Sequence, residues 1–489
     1  MRRTKNEITL QRSLCMKNFF NGIKNYFKEF GTAVAKGDFW TKSSLLIMGM
    51  GYFGRGQIIK GILMTLIEIG VILFTALFSL PYLAKFGTLG TVQREEVFDA
   101  ATMTKTVNDY DNSLLILLFS VVGILVLVAF VLLYINNIKK AYELQALKEN
   151  GKHINSFVED VKSLFNGNFH ITLLALPAIG VLVFTIVPLI FMICVAFTNY
   201  DKAHQPPTYL FTWVGLQNFK TLFTNSITVS FGYAFARILA WTLIWAVLAT
   251  FTTYIGGILL AKFINNERTK CKKLWRTLFV VTIAIPQFVT LLLINKMFSD
   301  NGIVNGLMNQ WGVVDAFKEV GIIAQGQNGI PFLSQPGWAH VMIILINIWV
   351  GVPYQMLVAT GILMNIPNDQ LESAKIDGAT EFQIFWKITM PYMLFITGPS
   401  LITSIVSNIN NFNVIYLLTN GYTTPNPTMA NSQAKEIDLL VTWLFTLTND
   451  NSNFKMASVI GICVFIISAA ITLIGFTNMI KGDKEEEFQ

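Results

Sequence analysis

Apolar residues fall in long blocks along this chain, not at the short periods of a water-soluble fold. Windows of about 20 residues, the length a helix needs to cross a hydrocarbon core, lie at 58–80, 114–135, 172–197, 238–261, 277–297, 340–363, 392–416 and 457–480. Eight membrane spans are predicted. The stretch 228–263 is longer than one span and carries Arg237, so its first ten residues are assigned to an interface.

One polar block breaks this pattern in an unusual way. Between the sixth and seventh windows, ESAKIDGATEFQIFWKITMP (372–391) reads as two short helices. Asp369 with Glu372 three residues on, and Thr380 with Gln383, each have the spacing of a capping box, in which side chains satisfy the first free N–H groups of a helix. Gly378 lies between them, where a left-handed backbone turns the chain sharply. Pro391 is expected to end the second helix and open the next span. Phe382, Phe385, Trp386 and Ile388 form an apolar stripe at helical spacing. That stripe rests either on the protein's own spans or in a groove of a separate subunit.

Composition agrees with the block pattern: 53% of the 489 residues are hydrophobic, 13% are charged, 39 are Phe, and mean hydropathy is positive. An all-α integral membrane protein is expected. Lys and Arg collect in alternate loops, with eleven in 1–60, five in 136–170, six in 262–276, two in 364–389 and two after 480. The intervening loops, 81–113, 198–227, 298–339 and 417–456, hold two or three each, counting Lys296 at the edge of the third. The positive-inside rule therefore puts both termini and the 364–389 loop in the cytoplasm. No cleavable signal peptide is apparent, and the first span is read as retained.

The net charge of +7 belongs to segments beside spans and does not suggest nucleic acid. Residues 11–38, with Leu14, Phe19, Phe20, Ile23, Phe27 and Phe30 among lysines, read as an amphipathic helix on the inner leaflet or against the protein's own cytoplasmic side. Cys15, Cys194, Cys271 and Cys463 form no disulfide or zinc pattern, and four scattered His give no metal site. GMGYFG (49–54) matches a dinucleotide fingerprint in letters but precedes a membrane helix and follows no strand. There is no P-loop and no G-x-S-x-G, so neither ATP binding nor catalysis is written here. Glu68 and Arg237 are the ionisable residues at membrane depth; Glu68 is an ion-coupling site, a residue packed or paired with Arg237, or one near enough to an interface to reach water.

Written as E-x-A-x3-G-x9-I-x-x-P, residues Glu372, Ala374, Gly378, Ile388 and Pro391 resemble the EAA loop of ATP-binding-cassette importer permeases at every spacing. Ser373 and Met390 are mild departures from its consensus. LALPAIGVLVFTIVPLIFMICVAFTNYD (174–201), WVGLQNFKTLF (213–223) and NNFNVIYLLTNG (410–421) resemble the F-type permease of maltose and maltodextrin importers. The resemblance implies a type I importer permease fold with about eight transmembrane helices, in a bacterial plasma membrane. It divides the chain into a basic segment (1–57), two N-terminal spans (58–171), a six-helix core (172–480) holding the loop 368–391, and a tail (481–489). Loop 198–227 is too short for the folded external domain some members insert there.

The implied partners are a second related permease, two ATPase subunits that bind ATP and Mg, an extracellular sugar-binding protein, an oligosaccharide and membrane lipid. This chain itself would hold no cofactor and would not be an enzyme. Glu372, Ala374, Gly378, Ile388 and Pro391 would couple it to an ATPase subunit. Glu372 would complete a cap, pair with an arginine of that subunit, or both.

A sugar site needs aromatic faces and amide or hydroxyl partners in a mid-membrane cavity. Matching stretches in the maltose-importer permease point to Val350, Gly351, Tyr354, Ser407, Asn408 and Asn411, with Asn408 and Asn411 one helical turn apart. The same residues would also serve helix-to-helix packing. Ile283 and Gln287 stand where a tyrosine and a serine are expected, which leaves the fifth-span sugar contacts unassigned; the substrate is read as an oligosaccharide of maltose or maltodextrin type, with another α-glucoside, raffinose-type sugars and glycerol phosphate as alternatives. An ion-coupled secondary transporter, a channel or receptor, and a membrane enzyme are the competing classes.

Overall fold

A computed structural model of the protein describes residues 5–99, 104–224, 230–266 and 268–480. Among the described residues seven helices are long and apolar enough to cross a membrane, and a bent helix pair makes an eighth span if its halves are counted together. The chain forms two compact units, residues 1–194 with 203–213, and residues 195–202 with 214–489.

In the first unit the helix Lys5–Lys36 precedes the spans Ile58–Lys85 and Ser113–Glu149. The third span, Phe169–Val195, follows. An antiparallel hairpin between the first two pairs Glu96 with Val107 and Asp99 with Thr104. The N-terminal helix packs on the protein: Tyr26 donates to Asn136 (3.0 Å) and Glu29 pairs with Lys139 (2.6 Å). Ile23 and Phe27 on it stay exposed, while the side chains of Leu14, Phe19 and Phe20 lie outside the described residues.

Residues 37–57 fold back against the first two spans. Arg55, almost wholly buried, pairs with Asp38 at 2.9 Å and donates to the carbonyl of Gly51. Met48 is held at both ends of its peptide. Its N–H donates to the Glu68 carboxylate (2.8 Å) and its carbonyl accepts from Asn137 (2.9 Å). A buried backbone group left unpaired costs about 1–3 kcal/mol, so Glu68 has a structural task that its polarity explains.

The second unit holds the fourth span, Phe231–Asn265, the bent pair, and the spans Pro336–Leu363, Glu381–Ile409 and Phe454–Met479, counted here as the sixth, seventh and eighth. The fourth and sixth spans pack along much of their length. A buried cluster around Trp245, Leu291, Ile343 and Ile415 joins the bent pair to them. A second, around Ile238, Trp443 and Ile460, seats the eighth span, and a third, around Tyr254, Met356 and Met393, seats the seventh.

Three expectations need correction. The window 277–297 is not one straight helix but Lys272–Ala284 and Gln287–Met297, bent by 91°. Ile285 and Pro286 are both extended there, because the ring of Pro286 disfavours a helical residue before it. The seventh span starts eleven residues before its apolar window and ends at Ile409, with Phe412–Leu418 a separate short helix. Pro391 does not end a helix. Residues 381–409 run on through a π-helical turn at Phe385–Thr389, whose i to i+5 bonding lies just before the proline that has no N–H to give.

Candidate functional site

The first of two candidate regions is the loop joining the sixth and seventh spans. Its first helix, Asn368–Ile376, starts after Pro367, which is extended and offers no side-chain cap. The box expected from Asp369 and Glu372 is therefore absent, since Asp369 already sits inside the first turn. Glu372 is exposed and has no hydrogen bond or ion pair with a described residue.

The helix ends in a Schellman turn: Gly378 N–H donates to Lys375 O (3.1 Å) and Ala379 N–H to Ala374 O (2.9 Å). Gly378 has φ +79°, a left-handed conformation that a side chain resists. Ala374 and Ala379, the positions that meet across such a turn, are both half-buried. The four-residue spacing between Ala374 and Gly378 is thus the spacing of the turn itself.

The second capping box is present as read: Thr380 N–H donates to Gln383 (2.8 Å) and Gln383 N–H to the Thr380 hydroxyl (3.3 Å). The apolar stripe is only partly covered by this chain's own spans. Phe385 is buried with Met390 and Met393 against the fourth and sixth spans, and Ile388 is half-buried. Phe382 remains 71% exposed and Trp386 48%, their rings edge-on at 6.2 Å, and Ile376 on the preceding helix is 85% exposed. One face of the loop is anchored in this chain; the other is apolar and uncovered. Pro391 is half-buried in the first turn of the continuing span.

The second region is polar and lies where the sixth and seventh spans approach the fourth. Gly351 sits so close to the fourth span that a Cβ there would lie 2.7 Å from the Thr253 methyl group. Packing alone demands a glycine at that position. Val350 is partly buried against the neighbouring cluster. Tyr354 is 56% exposed, and its hydroxyl has no partner among the described residues. Ser407 is likewise exposed.

Asn408 and Asn411 do not share a helix, since the span ends at Ile409 and Asn411 caps the next helix through Val414 N–H (3.3 Å). They still meet, Asn411 Nδ2 donating to Asn408 Oδ1 (3.3 Å). Asn408 Nδ2 in turn donates to Thr250 (3.0 Å), and its carbonyl accepts from the Trp245 indole (3.1 Å). Thr250 and Trp245 were not anticipated. The signal for them is a run of small and polar residues on the fourth span, Thr250, Thr253, Gly256 and Gly257, of the kind that lets membrane helices approach. Ile283 and Gln287, both exposed, flank the break in the bent pair. Among the described residues no cluster of His, Cys, Asp or Glu could hold a metal ion.

Residues 253–480 match the family described as binding-protein-dependent transport system inner membrane component. A maltodextrin transport system permease protein of Bacillus subtilis, MdxF, is 33% identical over 445 residues, covering 90% of this chain and 95% of its own. A galactooligosaccharides transport system permease protein of the same species, GanP, is 32% identical with coverage of 90% and 97%. A maltodextrin transport system permease protein of Streptococcus pneumoniae, MalC, is 31% identical with coverage of 91% and 97%. Relatives about a third identical along nearly the whole length, joined to a membrane-spanning helical fold, establish that this chain belongs to the inner-membrane components of binding-protein-dependent transport systems, the multi-pass permeases of ATP-binding-cassette importers.

Proposed function

We propose that this chain is the permease subunit of an importer that moves an oligosaccharide, of maltodextrin type, through the membrane while separate subunits bind ATP and Mg and hydrolyse the nucleotide. Its partners are a second permease, two ATPase subunits and an extracellular sugar-binding protein. Two maltodextrin permeases among its relatives support that sugar class. A galacto-oligosaccharide is the second reading, supported by a relative of nearly equal identity.

The observation that carries the coupling role is the divided face of the loop between the sixth and seventh spans. Ile376, Phe382 and Trp386 stand uncovered, Glu372 on the preceding helix has no partner among the described residues, and Phe385 ties the second helix to the spans. An aromatic pair on a helix is the usual anchor for a groove on a partner, and a free carboxylate beside it suits a guanidinium. Ala374, Gly378, Ile388 and Pro391 set the turn and the exit of the chain into the seventh span. The Lys and Arg bias of the flanking segments supports a cytoplasmic loop, with both termini on the same side.

In the sugar site Tyr354 offers a ring face and an uncommitted hydroxyl, Ser407 a second hydroxyl, and Asn411 an amide proton. Asn408 shares its capacity between substrate and the fourth span, and Val350 and Gly351 shape the wall. An ion-coupled carrier working alone would need Glu68 free to bind and release an ion, whereas Glu68 holds Met48. The test is purification with neighbouring subunits in lipid nanodiscs. ATPase subunits should co-elute, and sugar-loaded binding protein should stimulate hydrolysis. A chain that moves sugar in vesicles without ATP would defeat the reading.

A further inference from the structure

Arg237 lies on the fourth span without a carboxylate partner among the described residues. Its Nη1 reaches the Tyr233 hydroxyl at 3.4 Å and its guanidinium lies 5.9 Å from the centre of that ring. Of its five N–H donors, one is engaged by a described residue. The Tyr233 oxygen also accepts from Asn426 Nδ2 at 3.4 Å, so it receives two donors and its own proton has no acceptor among the described residues. Both side chains are exposed.

One helical turn on, Trp241 lies 4.0 Å from the His340 ring, donates to Ile437 O (3.3 Å), and is followed by Trp245 at 6.4 Å. Trp245 then bonds the carbonyl of Asn408. Tyr233, Arg237, Trp241 and Trp245 recur every four residues and run about 18 Å along the helix toward the candidate sugar site.

Position decides which side of the membrane this face serves. Lys262, near the other end of the same helix, pairs with Glu381 of the loop that joins the sixth and seventh spans. The 25 residues between Arg237 and Lys262 rise roughly 37 Å, more than the hydrocarbon thickness of about 30 Å. Arg237 and Tyr233 therefore sit at the mouth opposite the coupling loop. A span residue facing lipid would not leave an arginine uncompensated. The backing is fixed: Asn426 N–H donates to the Glu436 carboxylate (3.1 Å), which also accepts from Tyr422 (3.0 Å) and Thr424.

We propose that Tyr233, Arg237 and Trp241 form an entry subsite for a glycosyl unit of a longer oligosaccharide, upstream of the site around Tyr354 and Asn408. Arg237 and the Tyr233 proton bind ring hydroxyls, and the aromatic faces cover the sugar's C–H surface. The proposal rests on the oligosaccharide reading above and adds a determinant of chain length to it.

The test is uptake by the complete importer with its binding protein in proteoliposomes, comparing a disaccharide with a heptasaccharide. In Arg237→Gln and Tyr233→Leu, the ratio of KM for the long sugar to KM for the short one should rise roughly three- to ten-fold, the loss of one or two hydrogen bonds. Arg268→Gln, in the loop at the far end of the fourth span, should leave that ratio at the wild-type value. An unchanged ratio in both variants, with the wild type importing both sugars, overturns the subsite alone. A wild-type complex that imports neither sugar overturns the subsite together with the reading beneath it. Tyr233 is exposed and contributes nothing to the buried clusters, so its variant reports even where Arg237→Gln fails to assemble.

Discussion

The Lys262 ammonium at the end of the fourth span lies 3.4 Å from the Glu381 carboxylate and 5.3 Å from the centre of the Phe385 ring, tying a transmembrane helix to the loop proposed to receive the ATPase. Both partners are partly solvent-exposed, so the pair adds at most about 1 kcal/mol to stability. Lys262→Gln should leave the complex assembled but lower sugar-stimulated ATP hydrolysis several-fold, and Lys262→Arg should retain most of it. Full stimulation in Lys262→Gln would show that the contact is ornamental.

Gly378 has open space where a Cβ would go, so a substitution there is opposed by backbone conformation alone. The left-handed region costs a residue with a side chain roughly 1–2 kcal/mol, and asparagine less. Gly378→Val should lose sugar-stimulated hydrolysis or the ATPase subunits themselves, while Gly378→Asn keeps both. Normal transport by the valine variant would sink the assignment of this turn to coupling.

For Glu68, the measurement is uptake in vesicles with the proton gradient collapsed. Glu68→Gln keeps an acceptor for Met48 N–H and should preserve ATP-dependent, gradient-indifferent uptake. Glu68→Leu strands that N–H, at about 1–3 kcal/mol, and should lower thermal stability. Gradient-driven uptake without ATP would replace the importer with an ion-coupled carrier.

Tyr354 and Asn408 separate sugar contact from packing. The Tyr354 hydroxyl has no partner among the described residues, so Tyr354→Phe should weaken uptake a few-fold without changing basal ATP hydrolysis, and Tyr354→Ala should weaken it more. Asn408→Ala also breaks the bond to Thr250 and should lower both uptake and melting temperature. If Tyr354→Ala transports normally, the cavity lies elsewhere in the fifth to eighth spans.

Burial pushes the Asp438 carboxyl up to about 6, against the pull of the Lys435 N–H, the Thr442 hydroxyl and the Lys435 charge, and with Glu436 adding to the rise. A folded-state value above the ordinary carboxylate value of 3.8 means that the folded form holds the proton more tightly. Its contribution is complete below about pH 4 and disappears as pH rises through 6, a span worth about 3 kcal/mol. Asp438→Asn should flatten the dependence of melting temperature on pH between 4 and 6. An unchanged slope would count against the buried carboxyl as its source.

The spans were legible because burial in lipid demands continuous apolar runs, and the Thr380 box because its partners are three residues apart. Where tertiary or backbone context ruled, the pattern misled. Asp369 and Glu372 have the spacing of a cap, yet Pro367 sets the helix start one residue before Asp369. Pro286 lay in plain view within an apolar window, but apolarity says nothing of a 91° bend. Asn408 and Asn411 look like one helical turn, and the partners that keep them together across a break, Thr250 and Trp245, are some 160 residues away in the chain.

The unbroken helix from Glu381 to Ile409 turns the seventh span into a lever. Phe382 stands near one tip and Asn408 at the other, 26 residues or roughly 39 Å apart. A tilt of about 5° about the docked end would carry Asn408 some 3 Å sideways, by the same helical rise, which is the length of its hydrogen bond to Thr250. A small rotation imposed on the exposed aromatics is therefore sufficient to unmake one polar contact at the far end of the arm and leave that amide free for a passing hydroxyl.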